Sequence, residues 1–184
     1  MKVLLMLVLL GSSINSILAA EIDVPASPDY WLPAAHKTEI IRFDLLGGML
    51  REPHSQPLLT ITADGLLTVS AARGGAETSQ LLSQSELQAL LHFVIAEQQF
   101  LSIRPAEISQ QISQLQRQQG RFFAVADAPT TLIRIDLPQF RHSVEFYALD
   151  LMAGRFPEIE PLQNLLSVQT RLQALMDAAI GKPQ

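Results

Sequence analysis

Carboxylates are the side chains of this sequence that come nearest to a catalytic arrangement. Asp136 and Glu145 fall on the two strands of a predicted hairpin, on its polar side, and a hydrolase uses two such carboxylates as acid and base. Arg134 and Arg141 alternate with them, so a solvated strand face with weak cross-strand ion pairs explains the same pattern. We favour this structural interpretation and keep a hydrolase that acts through carboxylates as the alternative.

Histidines are the second candidates for chemistry, as metal ligands. The four histidines are far apart in the sequence: His36, His54, His92 and His142. Metal sites favour short spacings, such as two histidines on one helical face, and the sequence has no such pair. We therefore expect His92 to be a partly buried structural residue and His142 to face solvent. A metal ion held by scattered residues, drawn from His36, His54, Asp44 and Asp64, belongs to the same hydrolase alternative.

Known catalytic motifs do not accompany these residues. The sequence contains no nucleophile elbow, phosphate-binding loop, dinucleotide fingerprint or zincin motif. It also contains no cysteine, which excludes thiol chemistry and cysteine–zinc sites. We therefore predict no catalytic residue, no cofactor and no metal site, and we favour a non-enzymatic protein.

One segment has the composition of a recognition site. Residues 21–36 form a proline-rich strap in which prolines 25, 28 and 33 flank Tyr30 and Trp31, a pattern typical of an extended, irregular chain. Aromatic side chains supply much of the energy of protein interfaces, so Tyr30 and Trp31 are the candidate partner-binding residues. Burial of a large aromatic side chain is also favourable. A strap that lays Trp31 against the domain surface is therefore the other interpretation.

The first twenty residues predict export. Lys2 precedes an apolar run over residues 3–10, and Ala19-Ala20 closes the segment before Glu21. This is the layout of a secretory signal peptide over residues 1–20, and the apolar run is too short to cross a membrane. We expect a soluble mature protein without a membrane span, in the periplasm or outside the cell.

The composition limits the partners of the protein. The chain of 184 residues has a formal net charge of −5 at pH 7, and the repulsion between an acidic surface and phosphates argues against a nucleic-acid partner. Its hydrophobic fraction of 48% and charged fraction of 17% are typical of a globular core. We expect residues 37–184 to form a single domain, whose partner is a protein or a component of the cell envelope.

Alternating apolar residues predict five strands. They cover residues 38–45, 59–63, 67–69, 131–137 and 144–148. Asp64-Gly65 joins the second and third strands, because this dipeptide readily adopts the positive φ values of a tight hairpin turn. Pro138-Gln139 separates the last two strands, which form a second hairpin.

Helical periodicity and end signals predict three helices. The first covers residues 84–98 behind a capping box formed by Ser83 and Glu86, the second runs from Pro105 to Gly120, and the last begins at Pro161. Hairpins of strands interrupted by helices indicate the α+β class. We expect an antiparallel sheet of about five strands with two to three helices packed on it.

The turns and caps occur in a distinctive succession. A strand–turn–strand unit with Asp-Gly at its turn covers Leu59–Gly65, and a helix then opens at Ser85–Leu87 and is soon followed by Phe100. An Asp-x-Pro-Thr turn at Asp127–Thr131 comes next and leads into a further hairpin. This succession resembles a class of uncharacterised secreted bacterial domains of unknown function, over roughly residues 40–150. Some members carry a cysteine pair after the first strand, where this chain has Gly47-Gly48. The resemblance implies the fold and export, and it implies no activity.

Overall fold

The computed structural model describes residues 29–47, 56–71, 76–120 and 123–181. The predicted signal peptide (1–20), the first part of the strap (21–28), Gly48 and His54 lie outside these ranges. In chain order the described residues form strands β1 (Glu39–Gly47), β2 (Leu59–Thr62), β3 (Leu66–Val69) and β4 (Thr78–Leu81), helices α1 (Gln84–His92) and α2 (Pro105–Gln119), strands β5 (Pro129–Leu137) and β6 (Phe140–Tyr147), and helices α3 (Leu149–Arg155) and α4 (Glu160–Ile180).

The strands of the described residues form one antiparallel sheet in the order β4-β3-β2-β1-β5-β6. Strand β1 lies inside the sheet and pairs with both β2 and β5, so it joins the two groups of hairpins. Alternate residues of β5 are buried, as expected for a sheet with one face covered by helices. The structure confirms the predicted α+β fold.

A β-bulge in β1 decides which side chains lie on the face of the sheet away from the helices. The register with β2 shifts between Glu39 and Ile41, which leaves Ile40 in the core and turns Glu39 to the opposite face. Glu39 therefore shares a face with Arg42. The two side chains form a bidentate ion pair, with Nε–Oε1 at 2.7 Å and Nη2–Oε2 at 3.1 Å.

The hairpin between β2 and β3 turns at Asp64-Gly65, as predicted. Gly65 has a φ of +85°, and a Cβ at this position would lie 2.5 Å from the carbonyl oxygen of Leu82. Leu82 N donates to Gly65 O at 3.0 Å, and Thr62 Oγ1 donates to the Asp64 carboxylate at 2.5 Å. The turn therefore requires glycine for its backbone conformation and for the close approach of the segment that leads into α1.

Helix α1 begins at the predicted capping box. Glu86 N donates to Ser83 Oγ at 3.2 Å, and Ser83 N donates to the Glu86 carboxylate at 2.7 Å. The prediction extends this helix to residue 98. In the structure α1 ends at His92, and Phe93–Glu97 continue it as a π-helical turn.

Periodicity does not predict two of the elements. Strand β4 has the sequence Thr-Ser-Gln-Leu, which lacks apolar alternation, and its pairing with β3 at the sheet edge defines it. Helix α3 has seven residues and follows Ala148, whose φ is +55°, and so short a helix gives little periodic signal. The described residues thus form six strands and four α-helices, whereas the sequence predicts about five strands and two to three helices.

Candidate functional site: the strap around Tyr30 and Trp31

A glutamine of α1 fixes the strap at Tyr30. Tyr30 N donates to Gln88 Oε1 at 2.8 Å, and Gln88 Nε2 donates to Tyr30 O at 3.0 Å. One side-chain amide thus satisfies both backbone groups of one residue, as a neighbouring β-strand does in an antiparallel pair. The strap is bonded at this point to an element 58 residues away in the sequence.

A second glutamine holds the next residue of the strap. Gln139 lies in the turn between β5 and β6. In the orientation of its amide that satisfies both groups, Nε2 donates to Trp31 O at 3.2 Å and Oε1 accepts from Trp31 N at 2.6 Å. Tyr30 and Trp31 are therefore bonded to two different elements, and the strap bridges α1 and the β5–β6 hairpin.

The two aromatic side chains of the strap have different environments. Tyr30 is half-buried with its ring edge-on against Phe140, at a centroid distance of 6.5 Å and an angle of 83°, and burial raises the pKa of its hydroxyl. Trp31 is 72% exposed although its backbone is held. Tyr30 anchors the strap and Trp31 presents its indole to solvent. The other interpretation of the strap, in which Trp31 lies against the domain surface, requires burial of the indole, and the exposed indole lacks that burial.

Beyond Trp31 the strap joins the β2–β3 hairpin. Asp64 N donates to His36 O at 3.0 Å, and Ala63 N donates to Thr38 O at 2.9 Å. These bonds continue the ladder between β1 and β2. The chain is therefore fixed on both sides of Trp31, and the fold determines where the indole lies.

The candidate carboxylates do not form a catalytic pair. Asp136 lies opposite Arg141 and Glu145 lies opposite Leu132, so the two carboxylates are about 13 Å apart along the strands. Glycosidases place their two carboxyl groups about 5–9.5 Å apart. Asp136 Oδ2 is bonded to Arg141 Nε and to Arg134 Nη2, each at 2.9 Å. The hydrogen bond from Arg141, together with the one from Arg134, lowers the pKa of Asp136. The charged side chains therefore form ion pairs on a strand face, which is the structural interpretation of the pattern.

The histidines are separate, and the prediction for one of them is wrong. His142 Nε2 lies 3.1 Å from Ile103 O, and its ring is edge-on to Phe100 with the centroids 5.3 Å apart. Desolvation lowers the pKa of His142, although the bond to the Ile103 carbonyl opposes this shift. His142 does not face solvent, because the turn after α1 packs over the start of β6. His92 is half-buried, as predicted. Within the described ranges, no group of three or more His, Asp or Glu residues is placed to hold a metal ion.

Sequence reasoning misses the two glutamines that build this surface. Gln88 lies in the regular pattern of α1, and Gln139 occupies an ordinary hairpin turn. Glutamine is frequent in this chain, and neither position has neighbours that distinguish it. The one signal in the sequence is the aromatic pair between prolines. The contacts that orient this pair are visible only in three dimensions.

Among the described residues, no helix combines the length and the apolar character that crossing a membrane requires. Comparisons with protein-family models, with curated proteins and with solved structures find no match to this chain.

Proposed function

We propose that this protein is an exported, non-enzymatic binding domain that recognises a protein or another component of the cell envelope through Trp31. The observation that supports this role is an indole that is 72% exposed on a backbone held by Gln88 and Gln139. Tryptophan is among the residues that most often dominate binding energy. A side chain that is held in place before binding loses less conformational entropy when its partner arrives.

Export is supported by the signal-peptide pattern of residues 1–20. The resemblance to secreted bacterial domains supports the same location, in the periplasm or outside the cell. The net charge of −5 favours a partner other than nucleic acid.

The geometry of the charged residues also favours binding over hydrolysis. Asp136 is neutralised by two arginines, and Glu145 lies about 13 Å away from it along the sheet. An acid and a base at that distance cannot act on one bond. Trp31 is therefore a better supported site than this carboxylate pair.

The experiment uses Trp31 as its own reporter, because it is the sole tryptophan of the chain. The protein without residues 1–20 is titrated with purified cell-wall polymer of the producing organism, which adds no tryptophan emission, and extracted envelope proteins are tested separately by retention on the immobilised protein. Binding at the strap is expected to shift the emission to shorter wavelength and to reduce quenching by acrylamide. The matched control moves the tryptophan to α3 with Trp31→Phe and Leu151→Trp, since Leu151 is also exposed, at 53%. Emission from that position is expected to stay unchanged.

A second variant measures the contribution of the indole. At most about 70 Å² of the Trp31 side chain is buried, so Trp31→Ala costs no more than about 2 kcal/mol of unfolding free energy and leaves the protein folded. It is expected to abolish retention of the fraction that wild type binds. Equal retention by wild type and Trp31→Ala would overturn the proposal. Release of hydrolysis products from the cell-wall polymer, lost in Asp136→Asn or Glu145→Gln, would establish the hydrolase alternative.

A further inference from the structure

A groove of about 310 Å³ lies between α2 and β6. Strand β6 is the last strand of the sheet order, so one of its edges has no neighbouring strand in the described part of the chain. Residues Ser109, Ile112, Ser113 and Gln116 of α2 line one side of the groove, and Glu145, Phe146 and Tyr147 of β6 line the other. The groove volume is at the lower end of the range of ligand sites.

The side chains of β6 place this groove at the edge of the sheet. Successive residues of a strand point to opposite faces, and the register puts Phe146 on the helix-covered face and Glu145 and Tyr147 on the other. All three nevertheless line the same groove. A groove that is reached from both faces of a strand lies at its free edge, in this case beside the last three residues of β6.

The backbone of this edge is available for pairing. In an antiparallel pair, every second residue of an edge strand turns its N–H and C=O away from its neighbour. Within the described ranges, the backbone of residues 141–146 makes no hydrogen bond beyond its pairing with β5. The groove therefore combines unused backbone donors and acceptors with a helix as its opposite wall.

We propose that this groove binds an extended peptide segment of another protein, which pairs with β6 as an added strand and places a basic side chain against Glu145. Addition of a strand to a sheet edge draws affinity from main-chain hydrogen bonds and specificity from pockets for alternate side chains. The inference goes beyond the proposed function, because it assigns a second site.

Charge and shape define the peptide. Among the described residues that line the groove, Glu145 alone is charged, and Ile112, Phe123, Phe146 and Met152 supply the apolar surface. Because peptide side chains alternate as those of β6 do, apolar residues face Phe146 and a lysine or arginine between them faces Glu145. Opposite charges in directly facing strand positions attract each other.

The helical wall favours a peptide over a second copy of this chain. An incoming strand has to lie beside the last residues of β6 and against α2, and the β6 of a second copy carries its own α2 at the same place. Paired copies would bring the two helices together at the groove. A single extended segment has no such obstruction.

The groove and the Trp31 surface lie at opposite ends of β6. The strap contacts Gln139 and Phe140, whereas the groove begins at Glu145, five residues or about 16 Å further along the strand. A peptide in the groove therefore leaves the indole free. A negative result for peptide binding in the groove therefore does not decide whether Trp31 binds a partner, and the reverse also holds.

The test selects peptides from a displayed library of unstructured five-residue sequences and measures their affinity for the protein, because a strand of five residues centred on Glu145 spans about 16 Å and ends before Phe140. Selected peptides are expected to alternate apolar and polar residues with a lysine or arginine near the centre, and to shift the NMR amide signals of residues 143–146. Ser113→Phe fills the groove from α2 and is expected to weaken binding at least tenfold. The matched control is Gln114→Phe, an exposed neighbour on the other side of α2, which is expected to bind as wild type does.

Charge reversal provides a second test that does not depend on filling the groove. Glu145 is exposed, so Glu145→Lys leaves the fold intact and is expected to change the selected central residue to aspartate or glutamate. An unchanged central residue, or peptides that bind Ser113→Phe as tightly as wild type, would overturn the proposal. A concentration-dependent dimer that Ser113→Phe dissociates would overturn it in favour of a second copy. Trp31→Ala is expected to bind the selected peptides normally, which separates this result from that of the proposed function.

Discussion

Replacing Gln88 by alanine tests how the strap is held. Gln88 makes two hydrogen bonds to the backbone of Tyr30, at 2.8 and 3.0 Å, and both are lost in Gln88→Ala. Each such bond contributes about 0.5–1.5 kcal/mol net, so the pair contributes about 1–3 kcal/mol if the strap stays in place. The loss is smaller if the strap detaches, because Tyr30 N and O then bond to water.

The assay separates these two outcomes. Urea unfolding followed by far-ultraviolet circular dichroism gives the loss of stability of the whole domain. Fluorescence anisotropy of Trp31 in the native state reports the local motion of the strap, since no other tryptophan contributes. The expected result is a loss of about 1–3 kcal/mol or a marked fall in anisotropy, because the edge contact of Tyr30 with Phe140 contributes only about 0.5–1.5 kcal/mol.

The matched control is Gln111→Ala, at an exposed glutamine of α2. Surface substitutions of this kind change stability by no more than about 0.5 kcal/mol, and Trp31 anisotropy is expected to stay at the wild-type value. If Gln88→Ala matches this control in both measurements, packing alone holds the strap. In that case the fixed position of Trp31, on which the proposed function rests, has another origin.

Three further predictions concern the domain. Gly65→Ala is expected to lower the free energy of unfolding by about 1–2 kcal/mol for the left-handed backbone alone, and further because its Cβ would meet Leu82 O at 2.5 Å. An unchanged urea midpoint contradicts that close approach. Ser83→Ala is expected to lower the free energy of unfolding by about 1 kcal/mol, and Leu91→Ala, at a fully buried position, is expected to lower it by about 2–5 kcal/mol. A larger loss for Ser83→Ala than for Leu91→Ala in urea unfolding would mean that α1 buries a different face. Two arginines lower the folded-state pKa of Asp136, so its contribution to stability is complete above the unfolded-state pKa of about 3.9 and is lost as the pH falls through the folded-state value. Wild type is therefore expected to be more stable than Asp136→Asn at pH 7, and this difference in unfolding free energy is expected to shrink as acid is added. A difference that does not change with pH would show that the ion pairs of Asp136 do not stabilise the fold.

Local chemistry explains why much of the fold is predictable. The Asp64-Gly65 turn and the box at Ser83 and Glu86 each depend on residues within four positions of one another. Such interactions involve residues close together in the sequence, so their sequence patterns specify one local structure. The alternation in β5 is similarly direct, because one covered face of the sheet imposes it.

Long-range contacts explain what the sequence does not predict. Strand β4 has a polar sequence and is defined by its backbone pairing with β3. The environment of His142 depends on Ile103, which is 39 residues away. The site is less predictable than the fold for the same reason. Tyr30 and Trp31 are recognisable as aromatic residues between prolines, but the amides that orient them come from distant elements.

The topology explains why both proposed sites lie at the margins of the sheet. One face of the sheet is covered by the helices. The other face has a row of hydroxyl and charged side chains across all six strands of the described sheet, formed by Ser79, Thr68, Thr60, Arg42, Arg134 and Ser143. Its arginines are already paired with Glu39 and Asp136, and a partner that docked there would have to desolvate these ion pairs. The indole of Trp31 and the free backbone edge of β6 carry no such cost, because neither has to give up an ion pair before it can contact a partner.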